Sequence, residues 1–353
     1  MGIPPGHCLT ARFPLIFWLL LLASTGCNGI VANDLSEAPN MGLPTRGRDA
    51  PADILAEHHV SRQLRVNVGP PAASLSVWIV EPIAGPGKVW VTSEGNGQFN
   101  VGMRFDTTRP ETRHVKQPKG TLFLLHGWGD EKELPPYEFY SFVMASFGYR
   151  VILVDLRGHG RSTGDRITFG AVESHDLVQV LDQLDQQCLI VGDVGVIGVS
   201  YGASTAICWA AIDPRVHAVV ALEPYSSLHD AALDGGPLLL GSDAWMFSNR
   251  DMLDIVRQVG VLGRFDPDKS SPLNAISRLN TPVLLIHGNS DTFLHPAESI
   301  RLHAADPNHS RLILVDGANH LSLCIMAVKM ITSEANTWFG EYLDPPTTGP
   351  SAR

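Results

Sequence analysis

The residues with the clearest chemical potential are Ser200, inside Gly198-Val199-Ser200-Tyr201-Gly202, together with Asp291 and His320. A serine hydroxyl is a poor nucleophile near neutral pH; it needs a general base, and the base needs an acid to orient it. The G-x-S-x-G follows the apolar run VGVIG and passes directly into a helical stretch. In that context small residues let strand and helix approach while a serine in a strained turn keeps its Oγ exposed. Asp291 stands in the turn N-S-D after PVLLIHG, and His320 in G-A-N-H after RLILVD. Nucleophile, acid and base at three strand ends, in that chain order, predict acyl transfer. Glu223, ending HAVVALE, stays open as a variant acid. His126, His159 and His287 sit beside glycines at strand ends or in RGHG and are read as supports for those loops. His295 follows Asp291 too closely to be its base and is placed at the cleft. His58, His59, His303 and His309 have no partner motif.

These side chains need a rigid carrier. The runs 121–127, 149–155, 194–200, 217–223, 282–288 and 311–316 are short and nearly all apolar, as expected of parallel strands buried on both faces. Between them, Phe139, Phe142, Val143 and Phe147 share one helical face, and Leu177, Val180, Leu181 and Leu184 another. Further helices are predicted from Tyr201 to Ile212 and from Leu321 to Tyr342. Two earlier strands, 74–81 and 99–105, are expected to pair as an antiparallel edge. The result is an α/β chain, a mostly parallel sheet with helices on both faces and its functional groups at the carboxyl ends of the strands.

The 353 residues carry 26 Lys and Arg against 36 Asp and Glu, so the field of the chain repels a polyanion and no nucleic-acid partner is expected. Five cysteines (8, 27, 188, 208 and 324) form no C-x-x-C pair and no metal-ligand spacing. G-x-G-x-x-G fails at Thr163, and neither a P-loop nor H-E-x-x-H occurs, so no nucleotide or metal cofactor is implied.

Arg12, the apolar run from Phe13 to Ala23 and the small residues before Cys27 read as an export signal over 1–27. The run is shorter than the roughly 20 apolar residues of a bilayer span. Residues 28–70, rich in Pro, Gly, Asn and Asp, are read as a flexible leader and 346–353 as a tail, leaving 71–345 as the main domain.

HGWGD (126–130), DLRGHGRS (155–162), GVSYG (198–202), LLIHGNSD (284–291) and GANH (317–320) together resemble the α/β-hydrolase superfamily. RGHGRS and the HGWG turn are similar to its monoacylglycerol-lipase-like and serine-aminopeptidase-like branches. The resemblance implies an oxyanion hole made by the backbone N–H groups of Tyr201 and Trp128. It also implies a lid at the long insertion 225–281, where Trp245, Met246 and Phe247 are candidates for the substrate pocket. The residues before Cys27 resemble a bacterial lipobox, in which Cys27 would be acylated and hold the exported protein to a membrane. Ser24 departs from that pattern, and an ordinary cleaved signal peptide is the alternative. The function expected is a hydrolase of carboxylic esters with small or medium acyl groups. A peptidase or amidase of the same fold and a non-catalytic binding protein on this scaffold remain open.

Overall fold

The computed structural model describes residues 27–83, 88–93, 99–104 and 117–343. The expected signal before Cys27 and the tail 346–353 lie outside them. The strands are β1 (Arg62–Val68), β2 (Ala73–Val80), β3 (Lys88–Ser93), β4 (Phe99–Arg104), β5 (Thr121–Leu125), β6 (Arg150–Val154), β7 (Val194–Val199), β8 (Val216–Leu222), β9 (Val283–Gly288) and β10 (Ser310–Val315). The helices are α1 (Cys27–Ser36), α2 (Ala52–Glu57), α3 (Pro135–Ser146), α4 (Glu173–Gln186), α5 (Tyr201–Ala210) and α6 (Leu228–Leu240). They continue with α7 (Asn249–Gly263), α8 (Pro272–Ile276), α9 (Ala297–Ala305), α10 (Leu323–Met326) and α11 (Val328–Tyr342).

Eight strands form one sheet in the order β1-β2-β6-β5-β7-β8-β9-β10. All pairs from β6 to β10 are parallel, and β2 runs antiparallel to both β1 and β6. Alternation along each strand feeds two cores. Phe123 and Leu125 face a layer containing Leu177, Leu181, Ala206 and Ile207 of α4 and α5. Leu122 and Leu124 face Tyr140, Val143, Ile331 and Phe339 of α3 and α11. Each such side chain removed fully from water contributes roughly 1.5–3 kcal/mol, so both layers hold the strand ends rigidly. This is the α/β-hydrolase fold, in agreement with the expected fold class.

Three sequence-based expectations change. β4 does not join β2; it pairs with β3 in a separate two-stranded sheet, and the antiparallel edge is made by β1 and β2. The terminal helix expected from Leu321 is broken at Ala327 into α10 and α11. The stretch 28–70 is folded rather than flexible, because it has partners on the main domain. Ala32 of α1 packs with Met252, Ile255 and Val259 of α7, and Asn28 Nδ2 donates to Asp251 and Asp254 at 3.3 and 3.2 Å. Asn40 Nδ2 donates to the carbonyls of Gly160 and Ser162 at 2.9 and 2.7 Å, and β1 completes the sheet edge.

The insertion between β8 and β9 contains α6, a short 3₁₀ turn (Gly241–Met246), α7 and α8. Ser227 and Ser248 cap α6 and α7, the latter through a reciprocal capping box with Asp251. The apolar face of α7 is consumed by packing against α1 and against other residues of the insertion.

Candidate active site

Ser200 occupies the turn between β7 and α5 at φ 51° and ψ −112°, a conformation rare for a residue with a side chain. Its flanking glycines are required by space. A Cβ on Gly198 would lie 2.4 Å from the Gly202 carbonyl oxygen, and one on Gly202 would lie 2.5 Å from that of His126. The turn is anchored by the Ser200 N–H, which donates to the Leu222 carbonyl at 2.7 Å.

His320, from the loop after β10, places Nε2 3.0 Å from Ser200 Oγ and Nδ1 2.7 Å from Asp291 Oδ2. The network assigns the tautomer: Nδ1–H donates to Asp291, and Nε2 accepts from the serine hydroxyl. Asp291 Oδ1 accepts the N–H groups of Phe293 and Leu294 at 2.8 and 3.0 Å. Burial alone would raise the Asp291 carboxyl, but hydrogen bonds from His287 and His320 outweigh it and hold the group well below the usual carboxylate range. Asp291 is therefore an anion near neutral pH.

The turn after β5 runs Gly127-Trp128-Gly129-Asp130, closed by the Asp130 N–H donating to the Gly127 carbonyl at 3.3 Å. Gly129 takes φ 76° at the third position, where a turn of this kind needs a residue free of Cβ strain. Tyr137 braces the turn, its hydroxyl accepting from the Gly127 N–H at 2.8 Å and donating to Asp130 Oδ2 at 2.5 Å. Among the described residues the Trp128 N–H has no partner, and the Tyr201 N–H is the first orphan donor at the N-terminus of α5.

A buried network ties this turn to the loop after β6. Asp155 accepts from the Lys132 ammonium and from the backbone N–H groups of Lys132 and Arg161 at 2.9 and 2.8 Å. His126 Nε2 accepts from the Leu156 N–H at 2.9 Å while Nδ1–H donates to the Gly127 carbonyl at 2.8 Å. His159 packs on His126 at 4.8 Å, and burial, with His126 beside it, pushes its imidazole down to about 3. Both rings are neutral supports of the two loops.

Other candidates fall elsewhere. Trp245 and Met246 face solvent, 83% and 52% exposed, and Phe247 packs on the cluster that α7 makes with α1. The His295 side chain is also exposed, its Nδ1 accepting from the Ala297 N–H at 3.2 Å. The Tyr201 ring is buried against His159 and Phe169, so only its backbone faces the site. Phe293, which carried no motif, covers the His320 ring at 5.0 Å. His287 Nε2, read only as a loop support, donates to the Leu294 carbonyl at 2.9 Å and also approaches Asp291 Oδ2 at 3.3 Å. Glu223 is not bonded to His320 as Asp291 is; its Oε2 lies 3.7 Å from Nδ1. Glu223, Asp291 and His320 cluster closely, yet each ring nitrogen of His320 already faces Asp291 or Ser200, which leaves none for a metal ion.

Comparison with known proteins agrees with this architecture. Residues 94–259 match the X-Pro dipeptidyl-peptidase (S15) family, a span that holds Ser200 but ends before Asp291 and His320. An uncharacterized protein of Bacillus subtilis, YqkD, is 24% identical over 192 residues, covering 51% of this chain and 59% of YqkD. The esterase Pf2001 of Pyrococcus furiosus superposes with a TM-score of 0.60 at 18% identity, over 84% of this chain and 97% of the esterase. The acylaminoacyl peptidase of Pyrococcus horikoshii superposes with a TM-score of 0.53 at 15% identity, over 82% of this chain and 42% of the peptidase. The fold is thus shared with both esterases and peptidases.

Proposed function

We propose that the protein is a serine hydrolase that cleaves carboxylic esters of small or medium acyl groups through an acyl-enzyme. The reading rests on one observation above the others, the continuous chain from Ser200 Oγ to His320 Nε2 at 3.0 Å and from His320 Nδ1 to Asp291 Oδ2 at 2.7 Å. As Oγ attacks the carbonyl carbon, its proton passes to Nε2 and the imidazolium is held by the Asp291 anion. The tetrahedral oxyanion is stabilised by the Trp128 and Tyr201 N–H groups, the second reinforced by the N-terminus of α5. His320 then returns the proton to the leaving group, and water releases the acyl chain by the same steps.

The match to the S15 peptidase family over 94–259 favours a second reading, cleavage of an amide with the same residues. Initial rates on p-nitrophenyl esters of increasing acyl length and on an aminoacyl anilide separate the two. Ester turnover that disappears in Ser200→Ala supports the esterase, and anilide turnover alone supports the peptidase. Silence on both substrates in protein that an active-site probe also fails to label leaves a binding protein on this scaffold.

We further propose that the protein is exported, either held to a membrane through an acylated Cys27 or released as a periplasmic or secreted chain. Support comes from the apolar run Phe13 to Ala23 and from the exposed position of Cys27 at the start of α1. Intact mass of membrane-fraction protein showing diacylglyceryl-modified Cys27 supports the anchor, whereas a soluble mature chain lacking Cys27 refutes the anchor and leaves the released form.

A further inference from the structure

Among the described residues, Glu223 is the one buried carboxyl beside the catalytic chain that the mechanism does not use. It directly follows β8 and takes φ 52°, a strained conformation shared with Ser200, which directly follows the adjacent β7. Its backbone N–H donates to the Ile286 carbonyl at 2.9 Å, which fixes the strand end and leaves the side chain directed at the triad. The residue is 0% exposed, and among the described residues no side chain hydrogen-bonds either carboxyl oxygen; the Gly288 N–H is the donor that acts on it. One of them lies 3.7 Å from His320 Nδ1. An unpaired buried carboxylate is strongly disfavoured, and two anions on one imidazole edge more so.

Resting on the serine-hydrolase reading, we propose that the acid element of this site is a pair of carboxyl groups, Asp291 and Glu223, that face His320 and hold one proton between them. Asp291 is the anion that bonds Nδ1. Glu223 is a neutral positioning acid that lies against the same edge of the ring. Asp291 owns the two backbone N–H donors of Phe293 and Leu294 and the approach of His287, so the negative charge resides there. The surroundings of Glu223 are of the opposite kind. Tyr140 from α3 and Cys324 from α10 face it as neutral groups, with the tyrosine hydroxyl donating to the Cys324 carbonyl at 3.1 Å. Burial first, and the Asp291 charge second, push the Glu223 carboxyl up to about 9, opposed by the Gly288 N–H.

The arrangement has a chemical consequence. During acylation the Oγ–H bond breaks, the Nε2–H bond forms, the Nδ1 proton stays towards Asp291, and Glu223 keeps its own proton. Only one negative charge then stabilises the imidazolium, which remains acidic enough to protonate the leaving group. When Asp291 loses its charge, the second of the two causes that keep Glu223 protonated is gone while burial stays, so Glu223 ionises at lower pH than in the native protein, 3.7 Å from Nδ1, and takes over the electrostatic role.

The test is the pH dependence of fluorophosphonate labelling of Ser200 in the full chain, in native protein, Glu223→Gln, Asp291→Asn and the double variant. Strong coupling is expected: Glu223→Gln slows labelling by about tenfold or more beyond its cost in the native background when Asp291 is Asn. The labelling rate of Asp291→Asn should also rise with pH as Glu223 ionises, and this rise should be missing in the double variant. An equal cost of Glu223→Gln in both backgrounds overturns the proposal. Infrared spectroscopy gives a readout independent of labelling and of variant folding. A carboxylic-acid C=O band of the native protein, present at neutral pH, should vanish on titration through about 9, and its absence at neutral pH overturns the protonated form. If native Ser200 is not labelled at all, the serine-hydrolase reading fails, whereas labelling without coupling fails the carboxyl pair alone.

Discussion

Replacing Glu223 by Gln should stabilise the protein increasingly as pH rises. In the folded chain this carboxyl is pushed up to about 9, against an ordinary value of 4.5. Between those two values the folded state holds a proton that the unfolded chain has released. Folding stability therefore falls with rising pH across that window, with its contribution intact below 4.5 and fully lost above about 9. Gln keeps the shape and a neutral donor but has no proton to lose. Each pH unit inside the window is worth about 1.4 kcal/mol, so the variant should gain on the order of 4 kcal/mol relative to native between about pH 5 and about pH 8. Urea unfolding of both proteins at each pH reads the difference directly, and the other titrating groups cancel in it. A stability difference that stays constant over this range would show that Glu223 ionises normally in the folded state and would refute the reasoning.

Two further outcomes follow from the packing. Gly202→Ala should abolish Ser200 labelling and cost more than about 3 kcal/mol of stability, since its Cβ would lie 2.5 and 2.6 Å from the backbone oxygens of His126 and Leu125, which sit in β5 and its turn and cannot yield. Removing residues 27–36 should uncover Met252, Ile255 and Val259 of α7, seen as faster hydrogen exchange in α6 and α7 with the sheet unchanged; unchanged exchange in those two helices would contradict a stabilising contact between α1 and α7.

Much of this architecture was legible because its signals are local. Six apolar runs bounded by turn residues became β5 to β10, and the spacing of Gly198, Ser200 and Gly202 has a steric cause visible in the fold. Asp291 and His320 were found because each follows a strand with a turn signature, and the two meet in space as their chain order implied. What escaped depends on tertiary partners. In α1, Val31, Ala32 and Leu35 form too short an apolar set to announce a helix until α7 supplies the surface they pack against. β1 did carry a period-two signal in Leu64, Val66 and Val68, obscured by the Gly-Pro-Pro that follows it. The roles of Tyr137, His287 and Phe293 rest on contacts across loops for which no sequence spacing exists. The apolar insertion residues Trp245 and Met246 could not be placed from the sequence, because apolar side chains in an insertion read alike whether they face a pocket, a core or water. The structure turns them to solvent.

The most direct test of the account is peptide mass mapping after treating the full chain with a fluorophosphonate. A single adduct on the peptide that carries Ser200, lost in a folded Ser200→Ala variant and strongly slowed in His320→Gln, is the predicted result. An adduct on another residue, or equal labelling of native and Ser200→Ala protein, would contradict the claim that Ser200, His320 and Asp291 form a nucleophilic chain.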